Sequence, residues 1–361
     1  MSSDSHHYFA NKLGLRKILL PVIIGLGIVV WLISKDINVS VLKEIIFTWK
    51  SAFWLFVALL LVLTRTLGYM VRIRILTKHN LTWLQAFRVI MLWEFTSAIT
   101  PSTIGGTGFA IIFLHKEGIS VGRSTAVVLA TSFLDELYFV IMLPLLLLFV
   151  GGRAIFITTL QGTGVALLNN LVLVAVIGYL IILLWVLLVG YGLFINPAVI
   201  KKLIINIFRL PFIRRWKESA SKAGNDLIES SQELKKESVS FWVKSLISTF
   251  ITWSARYWVV NAILVAFFSV NELFLIFARE LVLWIMMIVS PTPGGSGFAE
   301  VILGRYISDL IPVDPVNAGG VALAMALIWR IISYYPFLIA GALIVPPWIQ
   351  KNFVKPVKKK E

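Results

Sequence analysis

The 361-residue chain has no cysteine, which excludes disulfides, thiolate metal sites and cysteine nucleophiles. It has four histidines, and His6, His7, His79 and His115 form no metal-ligand spacing such as H-E-x-x-H. No metal and no other cofactor is expected. Charge is scarce as well: 14% of residues are Asp, Glu, Lys or Arg, where a soluble domain carries about a quarter. Acidic residues are the scarcest, 18 against 33 Lys and Arg, for a formal net charge of +15. A Walker loop, a G-x-S-x-G elbow and any nucleotide-binding pattern are also missing, so no catalytic module is legible.

What is present is apolar. The chain is 58% hydrophobic, with a mean hydropathy of +0.89. Val165–Leu193 and Ser245–Val270 are long enough to cross a hydrocarbon core, which takes about 20 helical residues. A β-barrel would show short alternating segments instead. The expected fold is an all-α polytopic membrane protein of about eight membrane segments, at 16–34, 52–76, 84–99, 123–150, 165–193, 241–268, 273–289 and 318–346. Short helices are expected at 107–117 and 298–310. The first segment lacks a small-x-small cleavage site in its flank, Ser34-Lys35-Asp36-Ile37-Asn38, and reads as an uncleaved span.

The basic residues set an orientation. Lys12, Arg16 and Lys17 precede the first span; Arg72, Arg74, Lys78 and Arg88 follow the second; Asn196–Glu237 and the tail around Lys351, Lys355 and Lys358 are basic too. The positive-inside rule and anionic lipids put all of these in the cytoplasm. The excess charge thus points to a membrane surface and not to nucleic acid. The expectation is a bacterial cytoplasmic (inner) membrane protein with both termini cytoplasmic. It is one integral membrane domain, 1–361: a first repeat at 52–150, a basic linker at 196–240, a second repeat at 241–346 and a basic tail at 347–361. The linker fits either amphipathic helices on the inner leaflet or a solvated connection. Trp31, Trp49, Trp54, Trp83, Trp242 and Trp348 fall near span ends and read as interfacial belts.

The repeats rest on a duplicated motif. Thr100-Pro101-Ser102-Thr103-Ile104-Gly105-Gly106-Thr107-Gly108-Phe109-Ala110 recurs as Ser290-Pro291-Thr292-Pro293-Gly294-Gly295-Ser296-Gly297-Phe298-Ala299-Glu300. Counting crossings from the basic flanks, 84–122 enters and leaves from the cytoplasm, while 273–317 enters and leaves from outside. Two related re-entrant hairpins from opposite faces make an inverted-topology repeat, and broken helices at matching places point to a substrate site. Leu92-Trp93 and Leu283-Trp284 precede the two motifs, and Arg65 with Tyr69, and Arg256 with Tyr257, lie on the helices before each hairpin.

Candidate site residues follow. Gly105, Gly106, Gly108, Gly294, Gly295 and Gly297 permit positive φ and close approach of a ligand to the backbone. A half-helix starting there offers free N–H groups to an anion; tight packing at a hairpin tip is the alternative. Charges inside spans are costly and are usually functional or paired. Glu94, Asp135, Glu136, Arg279, Glu280, Glu300 and Arg330 are of this kind. Aligning Ala126 with Gly320 sets Glu136 opposite Arg330. One reading gives Arg330 a phosphate, with Glu300, Asp135 or Glu136 gating it or carrying a proton. The other makes these residues structural ion pairs, such as Glu300 with Arg330. Arg65 and Arg256 read equally as substrate-binding charges or as interfacial residues that reach headgroups.

Pro291-Thr-Pro-Gly-Gly-Ser-Gly-Phe-Ala-Glu300, the later mid-span Arg330 and the degenerate copy around Gly105-Gly106 resemble the flippase-like transmembrane family. This is the membrane region of bacterial lysylphosphatidylglycerol synthases, which also occurs alone. The resemblance implies movement of a phospholipid or lipid-linked headgroup between leaflets, on inverted repeats with re-entrant hairpins. Its partners would be membrane lipids, an anionic phospholipid or a lipid-linked saccharide. Family members often carry a Glu-Arg pair followed by Asp after the first motif. Here Ser132-Phe133-Leu134-Asp135-Glu136-Leu137-Tyr138 has no Arg. The aminoacyl-transferase part of the two-part synthases is not legible, so synthase activity does not carry over. A headgroup-modifying membrane enzyme, a small-solute or ion transporter, and an accessory subunit docked on a partner enzyme through 196–237 stay open, as does a homo-oligomer.

Overall fold

A computed structural model describes residues 39–100, 105–156, 171–207, 217–287, 292, 294–295 and 297–354. The expected first span at 16–34 lies outside the described residues, as do 101–104 of the first motif and 290, 291, 293 and 296 of the second. All regular structure among the described residues is helical. Short α1 (Val39–Glu44) leads to α2 (Trp49–Leu76), started by a Thr48–Ser51 capping box. Then come α3 (Trp83–Ile99), capped by Thr82 and Gln85, α4 (Gly105–Lys116), and α5 (Val121–Val150), capped by Ser120. α6 (Gly152–Phe156) and α7 (Leu171–Gly190) follow, the latter continuing into a wider π turn at Tyr191–Ile195. α8 (Pro197–Ile207) and α9 (Lys217–Lys235) occupy the basic linker. The second half holds α10 (Val239–Phe267), α11 (Leu273–Met287), α12 (Phe298–Ile307), α13 (Pro315–Ser333) and α14 (Tyr335–Ile349).

Among the described residues, five helical runs are long and apolar enough to cross a membrane: Trp49–Leu76, Val121–Val150, Val172–Ile195, Val239–Phe267 and Pro315–Asn352. The protein is therefore a multi-pass membrane protein. α3 and α11 have 17 and 15 residues. At about 1.5 Å per residue they are roughly 26 and 22 Å long, short of a hydrocarbon core of about 30 Å. The last run, expected as one span at 318–346, is divided at Tyr334 (φ −123°, ψ −55°). Pro336 has no N–H for the Ile332 carbonyl, and its ring crowds that carbonyl, which accounts for the break at this point.

Helix packing relies on small residues. α2 and α10 run antiparallel along their length. Ser51 Oγ donates to the Ala266 carbonyl (2.9 Å) near one end, and Ser248 Oγ donates to the Gly68 carbonyl (2.8 Å) toward the other. A Cβ on Gly68 would lie 2.1 Å from Thr252 Oγ1. Lipid tails are as apolar as leucine, so such close approach and hydrogen bonding take over the role that hydrophobic burial plays in water. α4 folds back on α3, where a Cβ on Gly106 would meet Ser97 Oγ at 2.0 Å. α14 lies against α3 through Gly341 on Phe95, and α12 against α13 through Gly304 on Leu323. In the linker, α8 and α9 are joined by Lys201 Nζ to Asn225 Oδ1 (2.6 Å). α9 is seated on the start of α5 through Gly122 at Asp226 and the Arg123–Glu233 ion pair. Trp49 is 92% exposed, as a belt residue should be. Trp348 is instead buried, edge-on to Phe113 at 5.2 Å between ring centres.

The α2–α10 contact generates a test. Gly68→Ala should destabilise the protein in detergent by about 1–3 kcal/mol through overpacking, and Thr252→Ala should recover part of that loss in the double variant. Thermal unfolding of the four proteins measures the coupling.

Candidate functional site

The two Pro/Gly motifs touch. The Gly294 N–H donates to the Thr100 carbonyl at 3.3 Å, and the Tyr334 hydroxyl donates to the Ala98 carbonyl at 3.0 Å. The second loop turns through left-handed backbone at Gly294 (φ 55°), Gly295 (φ 69°) and Gly297 (φ 79°). A Cβ on Gly294 would stand 2.3 Å from Tyr334 Oη and 2.6 Å from the Ala98 carbonyl oxygen, so only glycine fits there. The first copy works differently. Gly105, Gly106 and Gly108 lie within α4, where the backbone is helical. Gly106 allows the hairpin to close on Ser97, while Gly108 has open space beside its Cα.

That space belongs to a cavity of about 540 Å³ between the two halves, within the usual range of ligand pockets. Its lining includes Arg72, Glu94, Gly108, Asp135, Glu136, Arg256, Glu280, Gly294, Gly295, Arg330 and Tyr334. Of the candidate site residues, Gly105, Gly106, Gly297, Glu300 and Arg65 do not line it. One wall reaches the outside: Ile181 and Trp185 of α7 line the cavity and are themselves exposed. Trp185 is tied to α5 by its Nε1, which donates to Ser132 Oγ at 3.0 Å.

Most charges near the cavity are held in pairs. Arg72 Nη1 and Nη2 donate to Asp135 Oδ1 and Oδ2 at 2.5 and 3.1 Å, and Nη1 also donates to Thr249 Oγ1 at 3.0 Å. Trp253 Nε1 gives Asp135 Oδ1 a further hydrogen bond at 2.5 Å. Arg65 pairs with Glu94 at 2.5 Å under the rings of Tyr69 and Phe337. Arg330 stands 3.0 Å from Glu300 through Nε, and its Nη2 donates to the carbonyls of Gly294 (3.1 Å) and Gly295 (3.2 Å). Its guanidinium therefore holds the left-handed loop in place. The Nε–H is not aimed at the carboxylate, and Glu300 Oε2 has no hydrogen-bond partner among the described residues. Arg279 lies away from the cavity. It pairs with Asp309 at 2.6 Å and gives hydrogen bonds to the Tyr306 and Ala154 carbonyls. Three charged groups that line the cavity make no ion pair among the described residues: Glu136, Arg256 and Glu280. No group of three or more His, Asp or Glu suited to a metal occurs among the described residues.

With this geometry in hand, comparison with known proteins is informative. The sequence profile of the lysylphosphatidylglycerol synthase TM region matches residues 18–341. The chain belongs to that family. It is also 27% identical over 335 residues to a UPF0104 membrane protein of Archaeoglobus fulgidus, covering 90% of this chain and 92% of the relative. No solved structure gives a significant match.

Ser132–Tyr138 has no arginine of its own, and Asp135 of α5 is met by Arg72 of α2. Arg72 was expected to mark a cytoplasmic flank. It is instead 2% exposed and committed to an internal pair. The missed signal was helical spacing: Arg65, Tyr69 and Arg72 fall at i, i+4 and i+7, one face of α2. Trp253 and Tyr334, which complete the cavity, carried no such signal.

Removing Arg72 leaves the half-buried Asp135 with the Trp253 indole and without its ion-pair partner. Arg72→Ala should lower stability by about 3–5 kcal/mol, and Arg72→Ala with Asp135→Ala should be less damaging than the single change. Denaturant titration in detergent checks the order.

Proposed function

We propose that this protein moves a phospholipid or lipid-linked headgroup between bilayer leaflets, with the headgroup in the cavity and the acyl chains outside it. The observation that carries this reading is the cavity's mixed character. Its interior holds Arg256, Glu136 and Glu280, while Ile181 and Trp185 extend its lining onto the exposed face of the apolar helix α7. A headgroup in bare hydrocarbon loses its hydrogen bonds at several kcal/mol per group; a polar cavity restores them. Its tails need no such shelter and stay in lipid. A soluble substrate has no use for an apolar mouth. Family membership points the same way, as does a volume sufficient for a headgroup. An anionic phospholipid or lipid-linked saccharide is the substrate class of this reading.

The reading includes an inverted repeat. Eight segments, two of them re-entrant hairpins built on α3–α4 and α11–α12, account for the short lengths of α3 and α11. The antiparallel course of α2 and α10, each preceding a hairpin, supports a two-fold axis in the membrane plane. The contact of the hairpin tips at Thr100 and Gly294 supports it further. In this arrangement both termini and α8–α9 face the cytoplasm, at a cytoplasmic (inner) membrane. α5 then leaves that face and α13 returns to it.

Two experiments test these statements. Purified protein in liposomes should exchange a labelled anionic phospholipid between leaflets well above protein-free vesicles; headgroup turnover without exchange would replace the translocase with an enzyme. Val121→Cys and Val316→Cys, both at exposed helix starts, should react with a membrane-impermeant maleimide from opposite faces in this cysteine-free chain. Reaction of both from one face refutes the inverted repeat.

A further inference from the structure

Three guanidinium groups line the cavity, and two of them are already engaged. Arg72 is bidentate to Asp135. Arg330 faces Glu300 and holds the Gly294 and Gly295 carbonyls. Arg256 is the third. It makes no ion pair or hydrogen bond with any described residue. Its guanidinium carbon lies 4.0 Å from the centre of the Trp284 ring and 5.3 Å from that of Trp253. Cation–π contact fixes the plane of the group without using its N–H donors, and a guanidinium carries five of them in a fork that matches phosphate.

A comparison of the two halves sharpens this. The offset that aligns Leu92-Trp93 with Leu283-Trp284 also aligns Arg65 with Arg256, and Glu94 with Ile285. Arg65 is neutralised by Glu94 and lies off the cavity. At the position that corresponds to Glu94 the second half has Ile285. The second half therefore presents an aromatic-backed guanidinium that makes no ion pair among the described residues, and Glu280 of the same cavity is an acid in electrostatic contact with it.

We propose that Arg256, stacked on Trp284 and Trp253, is the cavity's oxyanion-binding centre and takes the phosphate of the transported headgroup. The assignment rests on the translocase reading for the source of that phosphate; inorganic phosphate offers the same chemistry. Trp284 and Trp253 are positioning residues that hold the fork. Glu136 and Glu280 share the cavity with it.

The test uses the full chain in detergent, with two probes: dioctanoyl phosphatidylglycerol and inorganic phosphate. Arg256→Gln should weaken binding about tenfold or more, the scale of a charge-assisted pair. Arg256→Lys, which keeps the charge and loses the fork, should fall between Gln and wild type. Thermal unfolding confirms that each variant is folded, and the Lys variant carries the test if the Gln variant does not fold. Arg256-dependent binding of either probe supports the site. Lipid binding alone names a headgroup as the source, and phosphate binding alone names a solute. Unchanged affinity in both variants, or no binding of either probe to wild type, overturns it. The liposome assay separates this result from the translocase reading. Exchange at the wild-type rate in Arg256→Gln rejects the site and leaves the translocase standing. Arg256-dependent binding without leaflet exchange does the reverse.

Discussion

The contact between Gly294 and Thr100 is the constraint on which the centre of the molecule depends. Each hairpin interrupts a helix, and each interruption frees backbone N–H and C=O groups in an apolar bundle. Such groups must find partners inside the protein. Gly294 gives its N–H to the first hairpin. Its carbonyl and that of Gly295 are met by Arg330. Arg330 needs a counter-charge, which Glu300 supplies. The chain of requirements runs from a left-handed turn to a buried ion pair. Glycine is forced at its first step, because a side chain on Gly294 would strike both Tyr334 and the Ala98 carbonyl.

The same economy of partners shapes the cavity. At low dielectric a lone charge is far costlier than a paired one, so Arg65, Arg72, Arg279 and Arg330 each have a carboxylate within 4 Å. These pairs tie α2 to α3, α2 to α5, α11 to the turn after α12, and α13 to α12. They brace each half internally, two pairs in the first and two in the second. Arg256, Glu136 and Glu280 are outside these pairs and inside the cavity. What is unpaired is therefore concentrated where a ligand has access.

Much of this was legible in the sequence. The long apolar runs gave α2, α5, α7 and α10 within a few residues, because hydrophobic length is a one-dimensional property. The duplicated motif marked the two loops that meet. Charge partners were harder, since an ion pair between helices is a fact of three dimensions. Glu300 with Arg330 was readable as a possibility because both flank the second motif. Arg72 with Asp135 was not, because a basic residue near a helix end also fits a cytoplasmic flank. The break at Tyr334 was written in Pro336, but an apolar run that continues past a proline hides it. Equivalent glycines also proved unequal: the first set packs helices, while the second turns the chain.

That inequality gives the duplication its purpose. Two identical halves would either neutralise both arginines with acids or leave both bare. Here Arg65 pairs with Glu94, while Arg256, whose half has Ile285 at the corresponding position, stacks on the rings of Trp284 and Trp253. The first motif settled into a regular helix whose Gly108 leaves room at the cavity. The second kept its strained turn, with Arg330 behind it. The two copies are alike in sequence and unlike in environment: of the two corresponding arginines, Arg256 lines the cavity and Arg65 does not.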